Sequence, residues 1–460
     1  MSVGTETSVS TIRCSGCGCT APARDPYPFR CPKWGTDGGD HVMVRTMDLS
    51  RLGLPLDGDP NPFIRYRELF HAYHQATSAG IADAEYTELV RGLDDAIAGV
   101  DGKGFRVTPF GRIPALGSAL GFTDEGGVWI KDETGNVSGS HKGRHLMGLL
   151  IHLEVVDRLG LTGGVRPRLA IASCGNAALA AAVVAAAGKR ELRVFVPVDA
   201  DPAVVRRLEH LHAEVVVCPR DPGEPGDPAY LRLLEALAEG ALPFTCQGNL
   251  NGLAVEGGHT LAYEMASDLV SAGETVDHVV IQVGGGALAS ACIAGLREAV
   301  ELGTLPRMPR VHTAQTAAAH PLERAYHLVR GGLSADPSPA EVEVAMREAA
   351  ASRPAYMWPW EEEPRSIATG ILDDETYDWR AVIEGMLATG GSPVVVDERT
   401  LSEANELAVE WTGIRVDPTG SAGLAGLMAL RAEGLVEDDE RVAVLFTGVQ
   451  RSGGGSEPAS

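Results

Sequence analysis

The chain has 460 residues, enough for two or three domains and a sizeable core. Its 62 acidic and 39 basic residues give a formal net charge of −23, which argues against nucleic-acid binding and against docking on an anionic membrane. The longest apolar run, 177–187, is too short to cross a bilayer, and the polar start, 1–10, lacks a signal core, so a soluble cytoplasmic protein with no membrane partner is expected.

Residues 1–45 form a turn-rich head holding four of the eight cysteines: Cys14, Cys17, Cys19 and Cys31. Cys14-x-x-Cys17 followed by Cys31 is half of a zinc ribbon, but Trp34 stands where a second Cys-x-x-Cys would end. Zinc needs four soft or borderline ligands in a tetrahedron. The expected structural-zinc set is Cys14, Cys17, Cys31 and His41, with Cys19 as the alternative fourth ligand. The head has too few basic residues to serve as a nucleic-acid module. The remaining cysteines, Cys174, Cys218, Cys246 and Cys292, are scattered through apolar or small-residue segments and read as core thiols.

Residues 46–104 read as a helical extension, with apolar residues at helical spacing over 63–70 and 84–100. From 105 to 450 strand and helix patterns alternate. Strands are expected at 128–133, 169–173, 192–196, 215–217, 279–283, 394–396 and 442–446. Helices are expected at 143–154, 176–188, 202–211, 230–238, 288–302 and 402–410. This alternation predicts parallel sheets with helices on both faces, and the apolar strands suit burial on both sides. A smaller sheet domain, about 145–265, is expected as an insertion in a larger one. The stretches 221–228 and 353–365 read as surface loops, and 451–460 as a disordered tail.

Four places on this frame carry chemistry. Lys142 follows the turn Ser138-Gly139-Ser140 between a strand and a helix, where its amine can attack an aldehyde. Ser173-Cys174-Gly175-Asn176 lies at a helix N-terminus, an anion site suited to a carboxylate, although an ordinary helix cap would look the same. Gly284-Gly285-Gly286-Ala287 lets the backbone approach a phosphate closely, and its spacing differs from the dinucleotide fingerprint. Thr447-Gly448 ends the last strand, where a hydroxyl can meet a heterocycle nitrogen.

In this order the four elements resemble fold type II pyridoxal phosphate (PLP) enzymes, the superfamily of threonine dehydratase, threonine synthase and the tryptophan synthase beta chain. The resemblance covers about 105–450. It implies an α/β architecture of two parallel-sheet domains behind the cysteine-rich, zinc-ribbon-like head. It also implies that Lys142 is the Schiff-base lysine, flanked by His141 and Arg144. Ser173, Cys174, Gly175 and Asn176 would hold the substrate carboxylate, with Asn176 also near the cofactor's hydroxyl. Gly284, Gly285, Gly286, Ala287 and Leu288 would cradle the phosphate, and Thr447 would meet the pyridine nitrogen. The expected activity is β-elimination or β-replacement on a small L-amino acid, with threonine synthase chemistry as the alternative, a non-catalytic PLP-binding protein as the alternative of another class, and a homodimer as the assembly. Val283-Gly284-Gly285-Gly286-Ala287-Leu288 and Glu256-Gly257-Gly258-His259 lean towards dehydratases. Leu445-Phe446-Thr447-Gly448 and the head lean towards threonine synthase. Gly143 and Cys174 depart from the best-known members, which usually carry Asp after the lysine and Ser or Thr in the carboxylate loop.

Overall fold

The computed structural model describes residues 9–220 and 226–451. The expected loop at 221–228 and the expected tail therefore lie largely outside the described residues. In the head, β1 (Ser10–Cys14) pairs antiparallel with β2 (Met43–Met47). The large sheet takes β3 (Phe110–Arg112), β4 (Gly127–Asp132), β9 (His278–Gln282), β10 (Arg310–Thr316), β11 (Pro393–Val396) and β12 (Arg441–Phe446). The small sheet takes β5 (Leu169–Ala172), β6 (Leu192–Pro197), β7 (Glu214–Cys218) and β8 (Leu242–Pro243).

The large sheet runs β11-β10-β9-β12-β4-β3, all parallel except β3 at the edge. The small sheet runs β7-β6-β5-β8, all parallel. The central strands β4, β9 and β12 are buried along nearly their whole length, as their apolar sequences require.

Two helices lead into and out of the small sheet, Lys142–Arg158 and Ala254–Ala272. They approach closely because glycine faces glycine: a Cβ on Gly148 would stand 3.0 Å from Gly257 Cα. A buried ionic cluster ties the first helix to the sheet. Arg144 Nε donates to Glu133 Oε2 at 2.8 Å and its Nη1 to Glu264 Oε1 at 2.5 Å, while Lys131 Nζ donates to Glu264 Oε2 at 2.6 Å. All four side chains are fully buried. Arg144, two residues after Lys142, therefore anchors the first turn of this helix.

The helix expected over 63–70 is broken. Pro62–Arg65 is helical, Arg67–Leu69 is a 3₁₀ turn, and a new helix covers His71–Ser78. Tyr66 leaves the helical region at φ −99°, ψ 19°. The turn lets Phe63 pack at 5.7 Å from Phe70 and 5.1 Å from Phe105 while the Tyr66 hydroxyl reaches Ser267. Packing of these aromatic rings overrides helical periodicity.

Candidate active site

The turn before Lys142 is shaped by left-handed backbone. Ser138 has φ 57° and Gly139 φ 71°, a region costly for serine. Ser138 is held there because its N–H donates to Asp101 Oδ2 at 2.9 Å. The turn is stitched to the end of β12: His141 N–H donates to the Thr447 carbonyl at 3.2 Å, and Val449 N–H to the Gly139 carbonyl at 2.9 Å. Lys142 and Thr447, 305 positions apart in the chain, are thereby fixed side by side. β12 also neighbours β9, whose C-terminal end leads into Gly284–Gly286. Lysine, hydroxyl and glycine loop thus sit at the C-terminal ends of three adjacent parallel strands, where open α/β sheets place ligands.

Thr447 is 2% exposed. Its Oγ1 receives a hydrogen bond from Gln282 Nε2 at 2.7 Å. The same nitrogen donates to the carbonyls of Gly420 at 2.8 Å and Leu445 at 3.1 Å. Carbonyls only accept, so the amide orientation is fixed; its two hydrogens are shared among the three acceptors, and the amide nitrogen beside Oγ1 cannot accept the Thr447 proton. The Thr447 hydroxyl proton is left to donate elsewhere.

The glycine loop opens the helix Ala287–Glu301, with Gly286 at φ 96° as its N-cap. The first N–H groups of that helix have no intrahelical acceptors, and together with the positive helix end they form an anion cup. A segment from 371 to 378 packs behind the cup. A Cβ on Gly284 would run into Asp373 Oδ2, one on Gly285 into the Tyr377 ring at 2.8 Å, and one on Gly286 into Thr376 Cγ2 at 2.9 Å. Only glycine fits at these three positions. Thr376 Oγ1 donates to the Gly284 carbonyl at 2.9 Å, and Asp378 N–H donates to the Gly285 carbonyl at 3.0 Å.

The carboxylate loop comes from the other sheet, after β5. Cys174 and Gly175 are exposed and Asn176 is half-buried. The Asn176 amide lies against Gly448: a Cβ there would stand 2.9 Å from Nδ2. Arg451 Nη2 donates to Asn176 Oδ1 at 2.8 Å, which turns the amide's donors away from that guanidinium. Although Cys174 is exposed, the protein packed around it desolvates its thiol and pushes it up, and Asp199, Asp227 and Asp373 add to this. Burial also drives His141 well below the ordinary histidine range, so it is a neutral neighbour of Lys142.

Of the residues expected at the site, Lys142, Gly284–Leu288 and Thr447 follow the ends of adjacent parallel strands, and Asn176 of the Ser173–Asn176 loop lies against Gly448. The pattern did not reveal Gln282 or the acidic segment Asp373–Asp378. The available signals were a polar residue closing an apolar strand and the run Asp373-Asp374-Glu375.

Away from the cleft, the head gathers its sulfurs. The Sγ atoms of Cys14, Cys17, Cys19 and Cys31 all lie within 4.8 Å of one another. Cys19, the alternative ligand, is 3.5 Å from Cys31. His41, the first-choice fourth ligand, stands beside the group with Nδ1 3.4 Å from Cys14 Sγ, while its Nε2 pairs with Asp37 at 2.8 Å. Four thiols at this separation suit a tetrahedral soft metal site.

A lysine, a glycine loop at a helix N-terminus and a buried neutral hydroxyl thus lie at the ends of three adjacent strands, with Asn176 against Gly448. Orphaned buried polar atoms in the two residues before Lys142, Ser140 Oγ and His141 Nε2, add unmet hydrogen-bonding capacity. The set fits a phosphorylated aromatic aldehyde and defines a cofactor-dependent enzyme. Residues 103–448 match the family described as pyridoxal-phosphate dependent enzyme, and the chain belongs to that family. Among curated proteins, the threonine synthase of Methanocaldococcus jannaschii is 24% identical over 341 residues, covering 74% of each chain. That of Methanosarcina acetivorans is 26% identical over 344 residues, again 74% of each. Among solved structures, diaminopropionate ammonia lyase from Escherichia coli superposes with a TM-score of 0.58 at 17% identity, over 79% of this chain and 88% of that one. A fungal L-serine ammonia-lyase from Rhizomucor miehei gives 0.54 at 18% identity, over 75% and 94%. These likenesses establish the fold of the PLP family for this chain.

Proposed function

We propose that the protein removes the Cα proton of a small L-amino acid and expels its β-substituent, releasing a keto acid or passing the carbon frame to a second nucleophile. The observation that carries this reading is the neutral Thr447 hydroxyl, its proton directed away from Gln282. When bound, PLP supplies an electron sink for charge developing at Cα. With the Thr447 hydroxyl rather than a carboxylate facing it, the ring nitrogen would stay unprotonated and the sink would be weak. Proton loss is then productive where a leaving group departs promptly.

Lys142 would hold the cofactor at rest, and its free amine would be the base that takes the Cα proton. Ser173, Gly175 and Asn176 hold the substrate carboxylate at the helix end. Gly284 to Leu288 hold the phosphate. Cys174 contributes a poor donor where a hydroxyl would be a good one. Neutral His141 adds no competing positive charge beside Lys142.

Threonine synthase chemistry, γ-phosphate elimination and β-hydration of O-phosphohomoserine, is the second reading, favoured by the names of the curated relatives. In the head, a structural zinc held by Cys14, Cys17, Cys19 and Cys31 is the reading the thiol spacing supports.

The test is a screen of the PLP-loaded enzyme with L-serine, L-threonine, O-acetylserine, O-phosphoserine and O-phosphohomoserine. Keto acid from the serine or threonine series supports β-elimination. Threonine formed from O-phosphohomoserine supports the second reading. A cofactor spectrum that no amino acid shifts would overturn both.

A further inference from the structure

Gly284, Gly285 and Gly286 have no side chains with which to hold their own curve, so what packs behind them sets it. That backing is the segment 371–378, which bonds the Gly284 carbonyl through Thr376 Oγ1 and the Gly285 carbonyl through the Asp378 N–H. The segment runs directly into the helix Trp379–Thr389. The junction is gripped by the cysteine-rich head, from the other end of the chain. Asp40 Oδ1 accepts from the Trp379 indole Nε1 at 3.2 Å and faces Arg353 Nε at 3.4 Å. Arg353 also pairs with Glu375, inside the segment. One residue beyond Trp379, Arg380 Nη1 donates to the Ser15 carbonyl at 2.6 Å.

The grip is buried and stiff. Asp40 is 2% exposed and Trp379 is fully buried, its ring stacked on Tyr356 at 6.2 Å between centres. A buried indole N–H needs an acceptor, and among the described residues Asp40 is the one it has. Asp40 is itself held by its backbone, since its N–H donates to the Ala350 carbonyl at 2.7 Å. The head is seated closely on the body. The Gly252 N–H donates to the Phe29 carbonyl at 3.2 Å, and a Cβ on Gly252 would overlap the Met43 carbonyl. A change at Asp40 therefore has a short, fully hydrogen-bonded route to the cup, through Trp379 and Asp378 to Gly285.

We propose that the head is a clamp on the phosphate cup, with Asp40 as its positioning residue, acting on Gly284–Gly286 through Trp379 and the 371–378 segment. The inference rests on the assignment of Gly284 to Leu288 to the cofactor phosphate. Truncating Asp40 orphans the indole N–H and leaves Arg353 to Glu375 alone. The junction then loses its fixed place, and with it the two donors that hold the Gly284 and Gly285 carbonyls. The loss falls on a ligand that carries a phosphate and spares one that does not.

The experiment strips the full-length protein of cofactor and titrates it with PLP and with pyridoxal, which keeps the ring and the aldehyde but has no phosphate. Absorbance of the lysine-bound ligand gives each Kd for wild type, Asp40→Ala, Asp40→Asn and Arg380→Met. Asp40→Ala should raise the Kd for PLP by about tenfold and that for pyridoxal by less than about twofold. Asp40→Asn keeps an oxygen that accepts from the indole and should restore PLP binding to within about threefold of wild type. Arg380→Met cuts the second grip at a half-buried position and should weaken PLP selectively as well; if Asp40→Ala does not fold, this variant decides. Equal weakening of both ligands overturns the clamp, as does unchanged PLP affinity in Asp40→Ala or, in its place, Arg380→Met. A wild-type protein that binds PLP no tighter than pyridoxal sinks the cup assignment, and the clamp with it.

Discussion

Gln282 is where a single substitution separates fold from chemistry. Gln282→Met keeps length and volume but removes the donor shared by Thr447 Oγ1, the Gly420 carbonyl and the Leu445 carbonyl. Each lost hydrogen bond costs about 1 kcal/mol net, so about 2–4 kcal/mol of stability is expected to go. The chemical effect is distinct. Without the Gln282 N–H, the Thr447 hydroxyl is free to turn its proton towards the neighbouring carbonyls, and the ring-nitrogen donor is lost part of the time. A loss of about 1.4 kcal/mol in the proton-removal step is about tenfold in kcat. Gln282→Glu, an isosteric change, puts an acceptor where the donor was and should pull the Thr447 proton inward, harming turnover more than the methionine does. The assay is kcat with the best substrate, beside the absorbance spectrum of the bound cofactor and urea unfolding. A Gln282→Met protein with kcat within about twofold of wild type and an unchanged spectrum would refute the directed-hydroxyl argument.

Lys142→Ala should bind no cofactor that borohydride can fix and should lose turnover while its circular dichroism is unchanged; retained turnover would contradict its role. Arg144→Met leaves Glu133 and Glu264 with Lys131 as their close cation and should cost about 3–5 kcal/mol in chemical denaturation; a loss under about 1 kcal/mol would mean the cluster is readily re-solvated. Burial raises the Asp378 carboxyl to about 7, partly offset by the Gly248 N–H. The folded state thus holds this proton more tightly than the unfolded one. Stability on this account is unaffected below the unfolded value near 3.8, falls as pH rises to about 7, and stays at the lower level above it. Asp378→Asn should therefore stabilise the cofactor-free protein at about pH 8 by a few kcal/mol, and far less at about pH 4; urea curves showing the same gain at both would disprove the assignment. In the head, Cys19→Ser should lower bound zinc measured by mass spectrometry, and His41→Ala should leave it in place. The reverse would return His41 to the ligand set.

Strands made of apolar β-branched runs, such as Val279-Val280-Ile281 and Val442-Ala443-Val444, were legible because burial on both faces admits little else. The helices at 142 and 176 were legible for the same reason. β10 was not. Its sequence, Arg310-Val311-His312-Thr313-Ala314-Gln315-Thr316, reads as polar, yet His312 bonds His278 at 3.0 Å and Gln315 Oε1 accepts from Leu322 N–H at 2.9 Å. Buried polar side chains satisfied by distant partners leave no periodic trace. The same holds at the site. The glycine cup and Lys142 announce themselves through backbone demands. Asp373 and Gln282 matter through neighbours 89 and 165 positions away, Gly284 and Thr447, and a linear pattern does not encode that distance.

The strand order has a bearing on how the protein is made. Among the described residues β12 is the last strand, yet it lies in the middle of the large sheet, between β9 and β4. Until residues 441–446 leave the ribosome, the sheet exists as two halves with unpaired inner edges, and the lysine turn has no Thr447 to be stitched to. Synthesis at about 5–20 residues per second makes that interval tens of seconds for a chain of this length. The exposed inner edges of β4 and β9 are then the natural targets for a chaperone, and a stop codon even shortly before β12 would remove the keystone of the sheet and with it every route to a loaded cofactor.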